Sequence, residues 1–275
     1  MTCSNAQKLE FTLRKRLSRF INSRPKWRDQ LDDVLLKFHD LADSVYLCGG
    51  AIREFLLNDA FQPRDIDLIV EDVDLKDLKG LFPVENVQIN RFGGLTVVWQ
   101  NWKIDVWPVS CTMAFTHKVF SNYDIDDYTK STFLNLDAVA VQLFSTPGKK
   151  RKLYENGFFD AILTKTIEVN FEESPFPELC IVRSLQLARK YRFAIGPMLA
   201  EYISNRLEET NLKELEKVDR SRSLAPHFDL ERYAAYIETI GKQLTDNKEQ
   251  SVQIDFTSYD DMRFPETNSL FFNRL

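Results

Sequence analysis

Pro63-Arg64-Asp65-Ile66-Asp67-Leu68-Ile69-Val70 is the stretch on which the fold turns. It reads as a β-strand with two carboxylates one residue apart. Side chains alternate along a strand, so Asp65 and Asp67 belong to one face, and Ile66, Leu68 and Val70 to the other, which is free to be buried. Two adjacent carboxylates repel each other unless a cation lies between them. Oxygen ligands at that spacing suit one or two Mg²⁺ ions, which also take phosphate oxygens.

Just upstream, Val45-Tyr46-Leu47-Cys48 reads as a short apolar strand running into Gly49-Gly50, and residues 51–57 (AIREFLL) read as a helix. A strand, a glycine turn and a helix N-terminus form an anion site, because free backbone N–H groups and the helix dipole face the turn. Glycine lets a phosphate approach the backbone closely. Arg53, in the first turn of that helix, is placed to add a charge-assisted bond.

A third acid follows. Residues 95–100 (LTVVWQ) and 103–107 (KIDVW) read as two strands of a hairpin joined by Asn101-Trp102. Asp105 lies between Ile104 and Val106, on the opposite face from both. If its strand pairs beside that of Asp65 and Asp67, three acids converge. Each element has an ordinary reading on its own: a solvated strand end, a plain turn, a salt-bridged sheet residue. Their order and spacing together carry the argument.

That order, Gly-Gly-x-x-Arg, then Arg-Asp-x-Asp-Leu, then an acid in a later strand, resembles the nucleotidyltransferase superfamily. It is most similar to the head domain of class II CCA-adding tRNA nucleotidyltransferases and bacterial poly(A) polymerases. Residues 91–97 (RFGGLTV), 154–161 (YENGFFDA) and 180–193 (CIVRSLQLARKYRF) resemble further segments of that family, so the likeness covers about residues 45–195. It implies a polymerase-β-like head with a mixed sheet and a two-metal Mg²⁺ site on Asp65, Asp67 and Asp105. It further implies an NTP substrate gripped by Gly49, Gly50, Arg53, Arg64 and Arg183, and an RNA acceptor, with tRNA as one candidate. For Arg64, a strand-edge salt bridge is an equal reading.

The departures are specific. Where the family carries Arg-Arg-Asp-Phe-Thr-Ile-Asn-Ala, residues 131–138 read Ser-Thr-Phe-Leu-Asn-Leu-Asp-Ala, without the arginines. Cys180 replaces the first arginine of the "RILRA" helix, and no Glu-Asp-x-x-Arg motif follows it. The chain is also short for the family's body and tail domains. The metal and triphosphate parts are therefore expected to be kept, and base choice and tRNA grip to be changed.

Composition agrees with a globular enzyme in the cytoplasm. Of 275 residues, 44% are hydrophobic and 28% charged, with no apolar run of membrane length and no apolar signal core at the N-terminus. Cys3, Cys48, Cys111 and Cys180 are scattered, and so are His39, His117 and His227, which excludes zinc spacing and a disulfide framework. The net charge of −5 argues against indiscriminate nucleic-acid binding, although residues 14–28 are locally basic. Leu9, Leu13, Leu17 and Phe20 predict an amphipathic helix over 5–22, either covering the sheet or offering its basic face to RNA. A second helix is expected over 29–42. Trp99, Trp102 and Trp107 either pack on the sheet or stack a base.

After the Pro-rich stretch 172–177, helices are predicted over 178–193, 198–207, 212–218 and 229–244. Arg183, Arg189, Lys190 and Arg192 crowd one of them, as a channel lining or as a solvated face. The tail from Asp246, with Phe271-Phe272, is expected to dock on the body or bind a partner. The expected organisation is α/β (α+β): a helical extension (1–42), a nucleotidyltransferase head (43–171) and a helical domain (172–275). The expected activity is Mg²⁺-dependent transfer of NMP from NTP to an RNA 3′ end. A small-molecule or protein acceptor, and a silent nucleotide- or RNA-binding module, stand as rivals.

Overall fold

A computed structural model describes residues 4–22, 29–58, 65–90, 92–99, 102–112, 115, 124–144, 148–207, 211–222, 228 and 230–256; of Asp65 it describes the backbone alone. The chain forms two compact units. One comprises Met1–Thr132 with Asp137–Asn156, and the other Phe133–Leu136 with Gly157–Leu275.

The first unit is built on a sheet of strands β1 (Val45–Cys48), β2 (Asp65–Val70), β3 (Val87–Ile89), β4 (Leu95–Trp99), β5 (Trp102–Pro108), β6 (Val139–Gln142) and β7 (Leu153–Glu155). Their order is β3-β4-β5-β2-β1-β6-β7. The β2–β5 pair is parallel and the other pairs are antiparallel, so the sheet is mixed. The alternation expected of β5 is visible in its burial: Trp102, Ile104, Val106 and Pro108 are buried, Asp105 and Trp107 are half-buried, and Lys103 is exposed. β1 is buried along its whole length, as an apolar central strand must be when both faces are covered.

The hairpin turn lies one residue earlier than the sequence suggested. Trp99 pairs with Trp102, which places Trp102 inside β5 and leaves Gln100 and Asn101 between the strands, outside the described residues. Burial of the Trp102 ring favours the strand position.

Helix α1 spans Asn5–Asn22, as predicted, and buries Leu9, Leu13, Leu17 and Phe20. It packs on α3 (Gly50–Leu57), with the Phe20 and Phe55 rings 5.1 Å apart. Two of its arginines bind backbone oxygens. Arg16 Nη1 donates to the carbonyls of Phe55 (2.7 Å) and Leu56 (3.1 Å), in the last turn of α3. Arg14 donates to the carbonyl of Arg151 and to Glu10. Packing on α3 and bonds to backbone oxygens therefore occupy part of the basic face of α1. Helix α2 is shorter than expected: it spans Asp29–Lys37, and a 3₁₀ segment, His39–Ser44, with non-helical geometry at Leu41, leads into β1. Short helices α4 (Leu75–Gly80) and α5 (Ile125–Ser131) begin on the side-chain caps Asp74 and Asp124.

The second unit contains α6 (Phe158–Thr164), α7 (Pro177–Tyr191), α8 (Pro197–Leu207), α9 (Leu212–Arg222) and α10 (Leu230–Asp246). It also holds a parallel pair the sequence did not announce, β8 (Thr166–Ile167) with β9 (Ala194–Ile195). Two-residue strands carry too little pattern to be read in advance. The unit division falls before α6, not at the expected boundary of 171/172. Leu134 bridges Val169, and Asn135 bonds Glu168 through both backbone and side chain, drawing 133–136 into the second unit. Phe228, Tyr233, Tyr236 and Phe256 stack edge to face at 5.1–5.3 Å in its core. The tail docks as far as it is described, through the Ile195–Val252 bridge and the buried Phe256; Phe271 and Phe272 lie outside the described residues.

Candidate active site

The turn after β1 fixes the geometry of the site. Gly49 has φ +65° and ψ −139°, a conformation that side-chain-bearing residues avoid, and α3 starts at the next residue. The free amides of this helix start face the turn. Asp67 pairs in register with Cys48 on β1, and its Oδ2 lies 3.1 Å from where a Cβ on Gly49 would stand. The absence of that side chain leaves a cradle between an acid and a helix N-terminus.

Asp105 is the in-register partner of Asp67 across the parallel β2–β5 pair. Neighbouring strands are about 4.8 Å apart, and paired residues present the same face, so the two carboxylates sit side by side. Asp65 is the backbone partner of Lys103 in the same register. Arg64 lies outside the described residues.

Two residues missed in the sequence hold Asp105. Thr96, its partner on β4, donates its hydroxyl to Oδ1, and the Lys103 ammonium is 2.6 Å from Oδ2. Lys103 was findable, since it stands two residues before Asp105 and shares its face; Thr96 required the strand pairing. A third missed residue is Asp137. It accepts a hydrogen bond from Arg53 Nη1 in an ion pair that is almost wholly buried on the arginine side. Arg53 also lies under the turn, with Nη2 3.4 Å from a would-be Cβ on Gly50. The turn is thus braced by a guanidinium whose charge Asp137 balances. The signal for Asp137 was its place in the altered stretch 131–138.

An apolar cluster lies farther along this sheet face. Two residues beyond the acids, Ile69 and Trp107 join Tyr46, Cys48, Val109, Phe115, Ile125 and Ala140, with Tyr128 and Tyr154 packed alongside. The Cys48 thiol donates to the Asp67 carbonyl (3.4 Å), and burial, then the Asp67 charge, raise its pKa far above the thiol range. Burial, then the Glu71 carboxylate, raise the Tyr46 phenol likewise. Trp107 covers Gly94, where any Cβ would collide with the indole, and Trp102 is buried. Both are accounted for by packing.

Arg183 stands on the exposed face of α7 in the second unit. Arg189, on the same helix, is buried, with its guanidinium 5.0 Å from the centre of the Phe228 ring.

Among the described residues, no group of three or more His, Cys, Asp or Glu side chains is arranged to hold a metal. Asp67 and Asp105 nevertheless fit a hard cation: both offer carboxylate oxygens from adjacent strands, and Gly49 leaves room beside Asp67. No described helix is long and apolar enough to cross a membrane.

No protein-family model matches the chain, and no curated protein matches it in sequence. Solved structures do match. The Thermotoga maritima CCA-adding enzyme complexed with tRNA superposes with a TM-score of 0.57 at 21% identity, over 86% of this chain and 56% of that one. The Bacillus stearothermophilus CCA-adding enzyme in complex with CTP gives 0.52 at 17%, over 71% and 48%. A tRNA-processing enzyme in apo form gives 0.51 at 16%, over 71% and 52%. The chain spans about half the length of these structures. On the strength of its mixed sheet, its glycine turn and these superpositions, the chain shares the fold of the CCA-adding enzymes over the superposed part.

Proposed function

We propose that this protein is a Mg²⁺-dependent nucleotidyltransferase that moves NMP from an NTP onto the 3′ hydroxyl of an RNA in the cytoplasm, releasing pyrophosphate. The observation that carries the reading is the in-register pair Asp67–Asp105 beside the Gly49 cradle. It brings oxygen donors for a cation and backbone donors for a phosphate to one place. The structures of similar fold include one with tRNA and one with CTP, which supports an RNA acceptor and an NTP donor.

Asp65, Asp67 and Asp105 would hold Mg²⁺, which supplies neutralisation of the polyphosphate and acidification of the attacking hydroxyl when bound. The amides of the Gly49-Gly50 turn and the α3 dipole receive phosphate oxygens. Arg53 brings positive charge under that turn, and Arg64 is assigned to the polyphosphate beside the first acid. Arg183 is assigned to nucleotide binding on the resemblance of its helix alone. Thr96 holds Oδ1 of Asp105, and Oδ2, which Lys103 pairs, is the oxygen assigned to the cation. In-line transfer needs positioning and charge balance, not covalent chemistry from the protein.

The test is incubation with Mg²⁺, cellular RNA and each α-labelled NTP in turn, beside Asp67→Asn and Asp105→Asn. The expected result is label in RNA, cut at least about a hundredfold by either substitution. Pyrophosphate release without labelled RNA would redirect the reading to a small-molecule or protein acceptor. No pyrophosphate from any NTP would leave a binding module.

A further inference from the structure

Lys103 stands on the acid-bearing face of β5, two residues before Asp105 and in register with Asp65. Its Nζ is 2.6 Å from Asp105 Oδ2, while Thr96 holds Oδ1. The Asp105 side chain is 15% exposed and that of Lys103 52%, so the ammonium reaches in from solvent over a mostly covered carboxylate. The oxygen it covers is the one that Thr96 leaves open.

Carboxylates side by side on neighbouring strands destabilise the folded sheet unless a cation offsets them. A lysine suits that task where an arginine would not. Its point charge sits on a flexible, well-hydrated stem, and a half-exposed ion pair of this kind is weak enough to open. When it opens, Thr96 still holds Oδ1, so Oδ2 is presented without reorientation of the carboxylate.

We propose that Lys103 is the built-in counter-ion of the acid cluster, competing with the divalent cation for Asp105 Oδ2 and swinging out when the cation binds. The inference rests on the nucleotidyltransferase reading of Asp67 and Asp105. It makes Lys103 a residue that sets divalent-cation affinity, in addition to the acids that supply the ligands.

The experiment titrates the full chain with Mn²⁺, without nucleotide, and follows free Mn²⁺ by electron paramagnetic resonance. Lys103→Met and Lys103→Gln keep a stem and remove the charge. Both are expected to tighten Mn²⁺ binding by about fivefold. They are also expected to melt at a lower temperature than the native chain without metal and to gain more from Mn²⁺. Lys103→Arg, which retains a competing cation, is expected to bind Mn²⁺ no more tightly than the native chain. Lys130→Met removes a lysine that pairs with Asp126 and Asp127 in the same unit, and is expected to change nothing. Equal Mn²⁺ affinity in the native chain and both neutral variants would overturn the proposal while leaving the metal site standing. An equal gain in Lys130→Met would overturn it too, by reducing the effect to overall charge. Absence of Mn²⁺ binding in the native chain and in both Lys103 variants would sink the metal site itself and the proposal with it.

Discussion

Asp67 Oδ2 lies 3.1 Å from the point where a β-carbon on Gly49 would stand. The acid strand and the glycine turn therefore share one position, and a side chain at 49 would fill it from the wrong direction. Gly49→Ala carries two costs, the combination of φ +65° with ψ −139° that a β-carbon disfavours and the contact with the carboxylate. The variant is expected to lose about 1–3 kcal/mol of stability, read as a lower urea midpoint. The proposed transfer activity is expected to fall further than the stability loss explains. An unchanged midpoint would show that the turn does not require glycine.

Arg53 and Asp137 form a buried ion pair between α3 and the turn before β6. Removing one partner leaves the other charge buried without its counterpart. Arg53→Met or Asp137→Leu alone is expected to cost about 3–5 kcal/mol, and the double substitution markedly less than the sum. A double-mutant cycle in urea measures the difference. Strict additivity would mean that the pair contributes nothing as a pair.

Gly94 has no room for a side chain, because the Trp107 indole lies where its Cβ would be. The Trp107 ring packs against the core cluster, and the Asn90 side chain holds Gly94 in place by accepting from the amides of Phe92 (3.0 Å) and Gly94 (3.1 Å). Gly94→Ala is expected to destabilise by about 1–3 kcal/mol, with a change in tryptophan fluorescence. Wild-type stability with unchanged fluorescence would contradict the packing.

Glu168 accepts from the amides of Val169 (2.8 Å), Met198 (3.2 Å) and Leu199 (2.6 Å), which ties β8 to the start of α8. Burial raises its pKa, and the three amides offset only part of that. A carboxyl with a raised folded pKa binds more protons folded than unfolded, so it favours folding at low pH and loses that advantage as pH rises through the folded value. The stability of the native chain relative to Glu168→Gln is therefore expected to fall as pH rises above the ordinary glutamate range. Urea midpoints of both proteins at several pH values measure it, and a rising difference would reverse the assignment.

Much of the first unit was legible in the sequence. Alternation in residues 65–70 and 102–108 reports which side chains share a face, because that property belongs to the strand itself. The span of α1 follows from its apolar periodicity for the same reason. The break of α2 after Lys37 was hidden, since residues 38–42 keep helical periodicity while the backbone tightens into 3₁₀ geometry before β1. The pair β8–β9 was hidden because two residues show no period.

The sequence by itself determined that Asp65 and Asp67 share a strand, that Gly49-Gly50 opens a helix, and that Asp105 opposes its apolar neighbours. These are local consequences of backbone geometry, which a few consecutive residues specify. Tertiary structure decided what those residues meet. The parallel pairing of β2 with β5 brought Asp105 beside Asp67, the β4–β5 ladder gave Asp105 its Thr96 bond, and the fold carried Asp137 across 84 positions to Arg53. Such contacts depend on which strands become neighbours, and that is settled by burial of the whole sheet, not by any one segment.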